Sequence, residues 1–314
     1  MTIRRRAAVL LAATGLLASG CTSGPPAAEV ENTPEPTPDA PPFATYYALG
    51  DSYTAAPFVP STDSRDLCLR SSGNYPAIIS IRLKGMRMVD LSCANASTQA
   101  ITDPQRVGST FLPAQLDEVP EDADLVTVGI GGSDFSFLSE LLTGCVRVAS
   151  LAEEDDDAPC REFSQELAET EGADPTPIEQ LPRIGSRVRR TLLEVKEKVP
   201  DAVVLMVGYP QLVPAKGTCD ELPIADGDYP FVRKAIRDLD SQLRRAARRA
   251  EVPYVGLMND SKGHDICAGR KAWVNGSVTD TARALAYHPF AKEQEYVATK
   301  VLEAATRELQ KRGG

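Results

Sequence analysis

The chain has 314 residues, 42% of them hydrophobic and 25% charged, with 34 basic against 44 acidic side chains and a net charge of −10 at pH 7. That acidic balance argues against nucleic acid or an anionic lipid surface as a charge-matched partner. Seven cysteines in such a chain point to an oxidising compartment.

The first 21 residues read as an export signal. Arg4, Arg5 and Arg6 form a basic start, and Ala7 to Ala18 an apolar stretch too short to span a bilayer. Leu17-Ala18-Ser19-Gly20-Cys21 resembles a bacterial lipobox, with Ala18 where Leu is usual and Cys21 as the lipidated residue. Residues 22–42 are rich in Pro, Ala, Thr and Glu and have no apolar period, which predicts an extended tether rising ~3 Å per residue where it is polyproline-like. The expected location is the outer face of the cell membrane, or free secretion, with the N-terminal lipid as the sole membrane contact. Loss of the three signal arginines leaves 31 basic against 44 acidic residues, a charge of −13. The folded domain is expected over residues 43–314, within the size of one α/β domain.

Five short apolar runs bounded by turn residues predict buried strands: 45–49, 86–91, 125–130, 203–207 and 254–257. Between them, 75–83, 135–142, 178–198, 231–250 and 291–309 have helical character. The alternation predicts a three-layer α/β/α fold with a central, mostly parallel sheet. Residues 147–176 break the rhythm and read as an insertion at the sheet edge or over the site. The acidic run 153–157 lacks the spacing of a calcium loop and reads as a solvated loop.

Beyond Cys21 there are six cysteines, which allow 15 pairings. Joining neighbours gives Cys68–Cys93, Cys145–Cys160 and Cys219–Cys267. No C-x-x-C pair or H-E-x-x-H helix is present, so no metal site is expected.

Gly50-Asp51-Ser52-Tyr53 follows the first strand, where an open α/β sheet places its ligand crevice. The chain has two histidines, His264 and His288, to act as base toward a serine nucleophile. His288 lies in Tyr287-His288-Pro289-Phe290 before the last helix, and His264 in Gly263-His264-Asp265, beside a carboxylate. Two further blocks follow strands: Ser92-Cys93-Ala94-Asn95-Ala96-Ser97-Thr98 and Gly129-Ile130-Gly131-Gly132-Ser133-Asp134.

These four blocks in this order resemble the GDSL, or SGNH, hydrolase family over Tyr46 to about Ala305. The cysteine spacing and Trp273-Val274-Asn275-Gly276 resemble its secreted actinobacterial lipase and esterase branch. The resemblance implies an SGNH-type, flavodoxin-like α/β domain that hydrolyses carboxylic esters. Ser52 would be the nucleophile and His288 the base, with His264 structural or site-lining. Donors from Ser52, Asn95 and Ser133 would form the oxyanion hole, with no cofactor. The chain departs from the family at three places. Asn95 replaces a usual Gly, Ser133 a usual Asn, and Leu285 the Asp that precedes the base by three residues. The Leu285 backbone carbonyl is therefore expected to orient His288, with Asp280 as the alternative, and the Asn95 amide to substitute for the missing Asn. Residues 55–66 and the Cys145–Cys160 loop are expected to wall the acyl pocket. Two other readings share these residues: a degenerate lipid- or glycan-binding envelope protein, and an envelope acyltransferase.

Overall fold

The computed structural model describes residues 41–153 and 157–313. The signal sequence, Cys21, nearly all of the tether and the centre of the acidic run lie outside the described residues. No described helix is long and apolar enough to cross a membrane.

Strand β1 is Thr45–Gly50, followed by the helical turn α1 (Ser52–Ala55) and helix α2 (Tyr75–Arg82). Strand β2 (Arg87–Asp90), the short helix α3 (Thr98–Thr102) and a hairpin of β3 (Gln105–Val107) and β4 (Thr110–Leu112) come next. Strand β5 (Leu125–Gly129) leads into helices α4 (Phe137–Ser139), α5 (Cys145–Leu151), α6 (Pro159–Glu169) and α7 (Pro177–Lys198). Strand β6 (Val203–Val207), helix α8 (Tyr229–Arg249), strand β7 (Tyr254–Val255) and helix α9 (Ala291–Gly313) complete the chain.

The five main strands form one parallel sheet in the order β2-β1-β5-β6-β7. This is the doubly wound arrangement in which the strand order reverses beside β1. The sheet is covered on both faces because its strands alternate. Tyr46 and Ala48 turn to a core shared with Ile79 of α2 and Val297 and Val301 of α9. Tyr47 and Leu49 turn to the opposite core. There α7 presents Leu181, Ile184, Val188, Leu192 and Val195, spaced three or four apart as a helical stripe requires. Helix α8 packs Val232, Ile236, Leu239 and Leu243 into the same core. Helix α7 starts where it does because Thr176 and Glu179 form a reciprocal capping box, with Pro177 at the first helical position.

The five predicted strands and the layered architecture are present. The region of residues 147–176 contains α6 and most of α5, fastened together by Cys145–Cys160. Its acidic surface masked the helices. The other disulfides are Cys68–Cys93 and Cys219–Cys267. The predicted helix 135–142 is broken. Phe135 and Ser136 adopt left-handed φ values of 53° and 56°, and residues 140–144 form a wide π-type turn between α4 and α5.

Candidate active site

The register aligns Gly50 at the end of β1 with Gly129 at the end of β5, so the first and third blocks emerge side by side at the strand reversal. The Asp51 carboxylate accepts the Tyr53 N–H at 2.9 Å and caps α1. Ser52 thus opens the helical turn, where an N–H has no partner within the helix. Gly50 cannot carry a side chain here, since a Cβ would lie 2.2 Å from Thr54 Oγ1 and 2.8 Å from the Gly129 carbonyl. On the other side the Gln115 amide accepts from the Gly50 N–H at 2.8 Å and donates to its carbonyl at 3.0 Å.

His288 meets this turn from the loop before α9. Its Nε2 lies 2.8 Å from Ser52 Oγ, and its Nδ1 lies 2.6 Å from the Ala286 carbonyl. A carbonyl only accepts, so Nδ1 carries the proton and Nε2 is left to accept from the serine hydroxyl. The preceding residue, Tyr287, has φ of 61°, an uncommon state for a bulky side chain. Two hydrogen bonds hold it there: its N–H donates to Gly276 at 2.9 Å, and its carbonyl accepts the Tyr53 hydroxyl at 2.5 Å. Surrounding protein pushes the His288 pKa down to about 4, with the Ala286 carbonyl opposing the shift. The ring is partly exposed to the cleft. The depressed value leaves the imidazole neutral at pH 7.

Ser52 and His288 line a cavity of about 520 Å³, together with Asn95 and Ser133. Asn95 has φ of 62°, so it occupies the conformation that glycine adopts without cost and that asparagine tolerates. Its side chain is exposed, and among the described residues neither its amide nor its backbone N–H is hydrogen-bonded. The Ser133 hydroxyl is also without a partner among the described residues. Two buried groups hold the loops behind them. Asp134 accepts from the Thr98 N–H at 2.9 Å and the Thr98 hydroxyl at 2.6 Å, joining the second and third blocks. The Tyr209 hydroxyl donates to Asp51 at 2.5 Å and accepts the Gly132 N–H at 2.7 Å, joining the first and third. Burial pushes the Asp51 carboxyl up to about 7, against the pull of the Tyr209 hydroxyl.

The family model described as GDSL-like Lipase/Acylhydrolase matches residues 48–292, which include all four blocks. The chain belongs to this family. It is a carboxylic-ester hydrolase. Lipase 2 of Streptomyces coelicolor is 34% identical over 276 residues, covering 84% of each chain. A solved phospholipase A1 from Streptomyces albidoflavus superposes with a TM-score of 0.65 at 25% identity, covering 84% of this chain and 99% of its own. An extracellular lipase from Streptomyces rimosus has the same fold, with a TM-score of 0.65 at 22% identity, covering 83% of this chain and 99% of its own.

Three expectations about this esterase need correction. The carbonyl at His288 Nδ1 belongs to Ala286, not Leu285. The turn through Tyr287 brings the carbonyl two residues back onto the ring, while the Leu285 carbonyl accepts from Asn275 Nδ2 at 3.2 Å and from the His288 N–H at 3.1 Å. Asp280 is spent on its own turn: its carboxylate accepts the Ala282 N–H at 3.0 Å, and its backbone pairs with Ala284. Among the described residues, no carboxylate is hydrogen-bonded to His288. Residues 55–66 do not line the cavity, and of the Cys145–Cys160 loop only Val146 does; the wall comes instead from positions between 136 and 146, with Ser277 and residues 285–288. His264 is elsewhere, stacked on Trp273 with centroids 4.4 Å apart and bonded to the Lys271 carbonyl at 2.7 Å.

Sequence reasoning missed Tyr209, Gln115 and the role of Asp134. The Asp in the third block was a visible signal for the last. Nothing local marks Tyr209, which stands 158 residues from its carboxylate partner.

Proposed function

We propose that this esterase works through an acyl-enzyme on Ser52. His288 Nε2 takes the hydroxyl proton as Oγ attacks the ester carbonyl, and returns it to the alcohol oxygen as the C–O bond breaks. Water then attacks the acyl carbon with His288 again as base, releasing the carboxylic acid and restoring Ser52. The Ala286 carbonyl keeps the imidazole in the required tautomer. The backbone N–H groups of Ser52 and Asn95, with the Ser133 hydroxyl or the Asn95 amide, supply the donors to the oxyanion.

One observation carries this reading: a 2.8 Å Ser52–His288 contact in which the second ring nitrogen is already fixed by an acceptor. The oxidised full chain, Ser52→Ala and His288→Ala are to be compared on p-nitrophenyl esters from acetate to palmitate. Turnover by the wild type that is lost in both variants supports the assignment; turnover retained in Ser52→Ala overturns it. The protein is further proposed to act outside the cell, anchored through Cys21. Three disulfides and the basic-apolar leader support that location. Metabolic labelling with a radiolabelled fatty acid should mark the wild type and leave Cys21→Ala unlabelled.

A further inference from the structure

The cavity at Ser52 is not symmetric. One wall is the bent helix from α4 to α5, which presents Leu138, Leu142 and Val146 to the cavity. In a pure α-helix, residues four apart drift round the axis. The π-type turn at 140–144 removes much of that drift, so the three side chains form a nearly straight apolar line. Ser139 and Thr143, each one position further on, are exposed and line the same cavity, giving the line a polar rim.

The line has a direction. Leu138 lies beside the oxyanion loop: its N–H donates to the Gly132 carbonyl at 3.0 Å, and a Cβ on Gly132 would lie 2.6 Å from Leu138 Cδ1. Val146 is two turns further along the helix from Leu138. It follows Cys145, whose disulfide to Cys160 fastens this part of the wall to α6. We infer that Leu138, Leu142 and Val146 form an acyl ruler, and that the substrates are esters of medium-chain acids of about eight to ten carbons. The inference rests on the serine-esterase reading of the same cleft.

Length and volume agree on this class. Leu138 and Val146 are eight residues apart, ~12 Å along a helix at ~1.5 Å per residue. An extended chain advances ~1.2 Å per bond, since a residue of three bonds spans ~3.5 Å. The line therefore matches about ten bonds. At ~30 Å³ per water-sized group, the cavity holds on the order of 17 non-hydrogen atoms. That accommodates a ten-carbon acyl group with a small alcohol.

The experiment compares kcat/KM for p-nitrophenyl acetate through palmitate in the wild type, Val146→Trp and Val146→Ala, with circular dichroism to establish folding. A buried methylene is worth about fourfold, so the wild type should favour decanoate over acetate by at least ~10²-fold and gain nothing beyond dodecanoate. Val146→Trp should lower the decanoate-to-acetate ratio at least tenfold, and Val146→Ala should move the optimum toward longer chains. If Val146→Trp does not fold, Val146→Ala alone decides. A flat chain-length profile, or an optimum that the variants leave unmoved, overturns the ruler and spares the esterase reading. Sodium decanoate binding to Ser52→Ala, followed by calorimetry with and without Val146→Trp, separates the two ideas. If the wild type hydrolyses no ester yet Ser52→Ala binds decanoate and the added Trp abolishes it, the groove stands and the esterase reading falls. No decanoate binding overturns the groove.

Discussion

Glu293 gives the most direct test of the electrostatics. It sits in the first turn of α9, five residues after His288, and only 2% of it is exposed. Its carboxyl accepts one hydrogen bond, from Gln294 Nε2 at 2.7 Å, and no cation pairs with it among the described residues. Burial pushes it from the ordinary 4.5 up to about 8, with the Gln294 bond opposing. A raised folded-state pKa means that the folded protein holds the proton more tightly than the unfolded chain. Its contribution is fully present below pH 4.5 and is lost as pH rises through about 8. At ~1.4 kcal/mol for each pH unit between those limits, the loss reaches about 5 kcal/mol by pH 9 and about 3 kcal/mol at pH 7. Glu293→Gln keeps the shape of the protonated acid and an acceptor for Gln294. It should match the wild type at pH 4 and exceed it by several kcal/mol at pH 9. Urea unfolding of both proteins at pH 4, 7 and 9 measures this, with the slope against denaturant monitored to establish two-state behaviour. Parallel stability curves over that range would refute the reasoning, because they would mean that Glu293 is solvated or paired in the native state.

Tyr209→Phe should lower kcat with little change in KM and cost about 1–3 kcal/mol in urea unfolding, since the Asp51 carboxyl and the Gly132 N–H lose their shared partner. Asp280→Ala should leave ester turnover within about twofold, because its carboxylate serves a local turn; a large loss would return it to the site. Asn95→Gly keeps the backbone donor at φ 62° and removes only the amide, so an oxyanion role for that amide predicts a fall in kcat on the order of 10². Unchanged turnover ends that idea. The pH profile of kcat/KM should be level from about pH 5 to neutrality and fall as pH drops through about 4, where His288 takes up a proton; an acid limb at the ordinary 6.5 would contradict the depressed value.

Much of the fold is legible in the sequence because burial on both faces makes a parallel strand read as an unbroken apolar run. Val203–Val207 is fully buried and is bounded in sequence by charged and turn residues. The stripe of α7 is equally plain. Elements that draw stability from other sources are not. Strands β3 and β4 have three residues each, too few for a period of two to emerge. Helix α6 is mostly solvated, and its disulfide to α5 does work that an apolar face does elsewhere. At the break, the Phe135 ring lies under two arginines of α7, Arg183 and Arg187, a contact made between distant segments of the chain.

The site divides along the same physical line. Ser52 and His288 are legible because the proposed chemistry demands a hydroxyl and an imidazole, and few residues offer them. The group that orients the base is a backbone carbonyl, which every residue possesses. Which carbonyl meets Nδ1 follows from the backbone turn at Tyr287, which is held by a hydrogen bond to the Gly276 carbonyl and one from the Tyr53 hydroxyl. This has a chemical consequence. A carboxylate partner would add full charge to a protonated imidazole and would itself titrate, whereas a carbonyl offers a weaker dipole that never titrates. Orientation of the base is therefore independent of pH, and the acid limb belongs to His288 alone. The carboxyl group next in sequence to the nucleophile is that of Asp51, held near 7 and hydrogen-bonded through Tyr209 to the loop that carries Ser133. Charge at this site thus lies behind the nucleophile and the oxyanion loop rather than behind the base, and the Tyr209 hydroxyl, which opposes the effect of burial on Asp51, is what limits its cost.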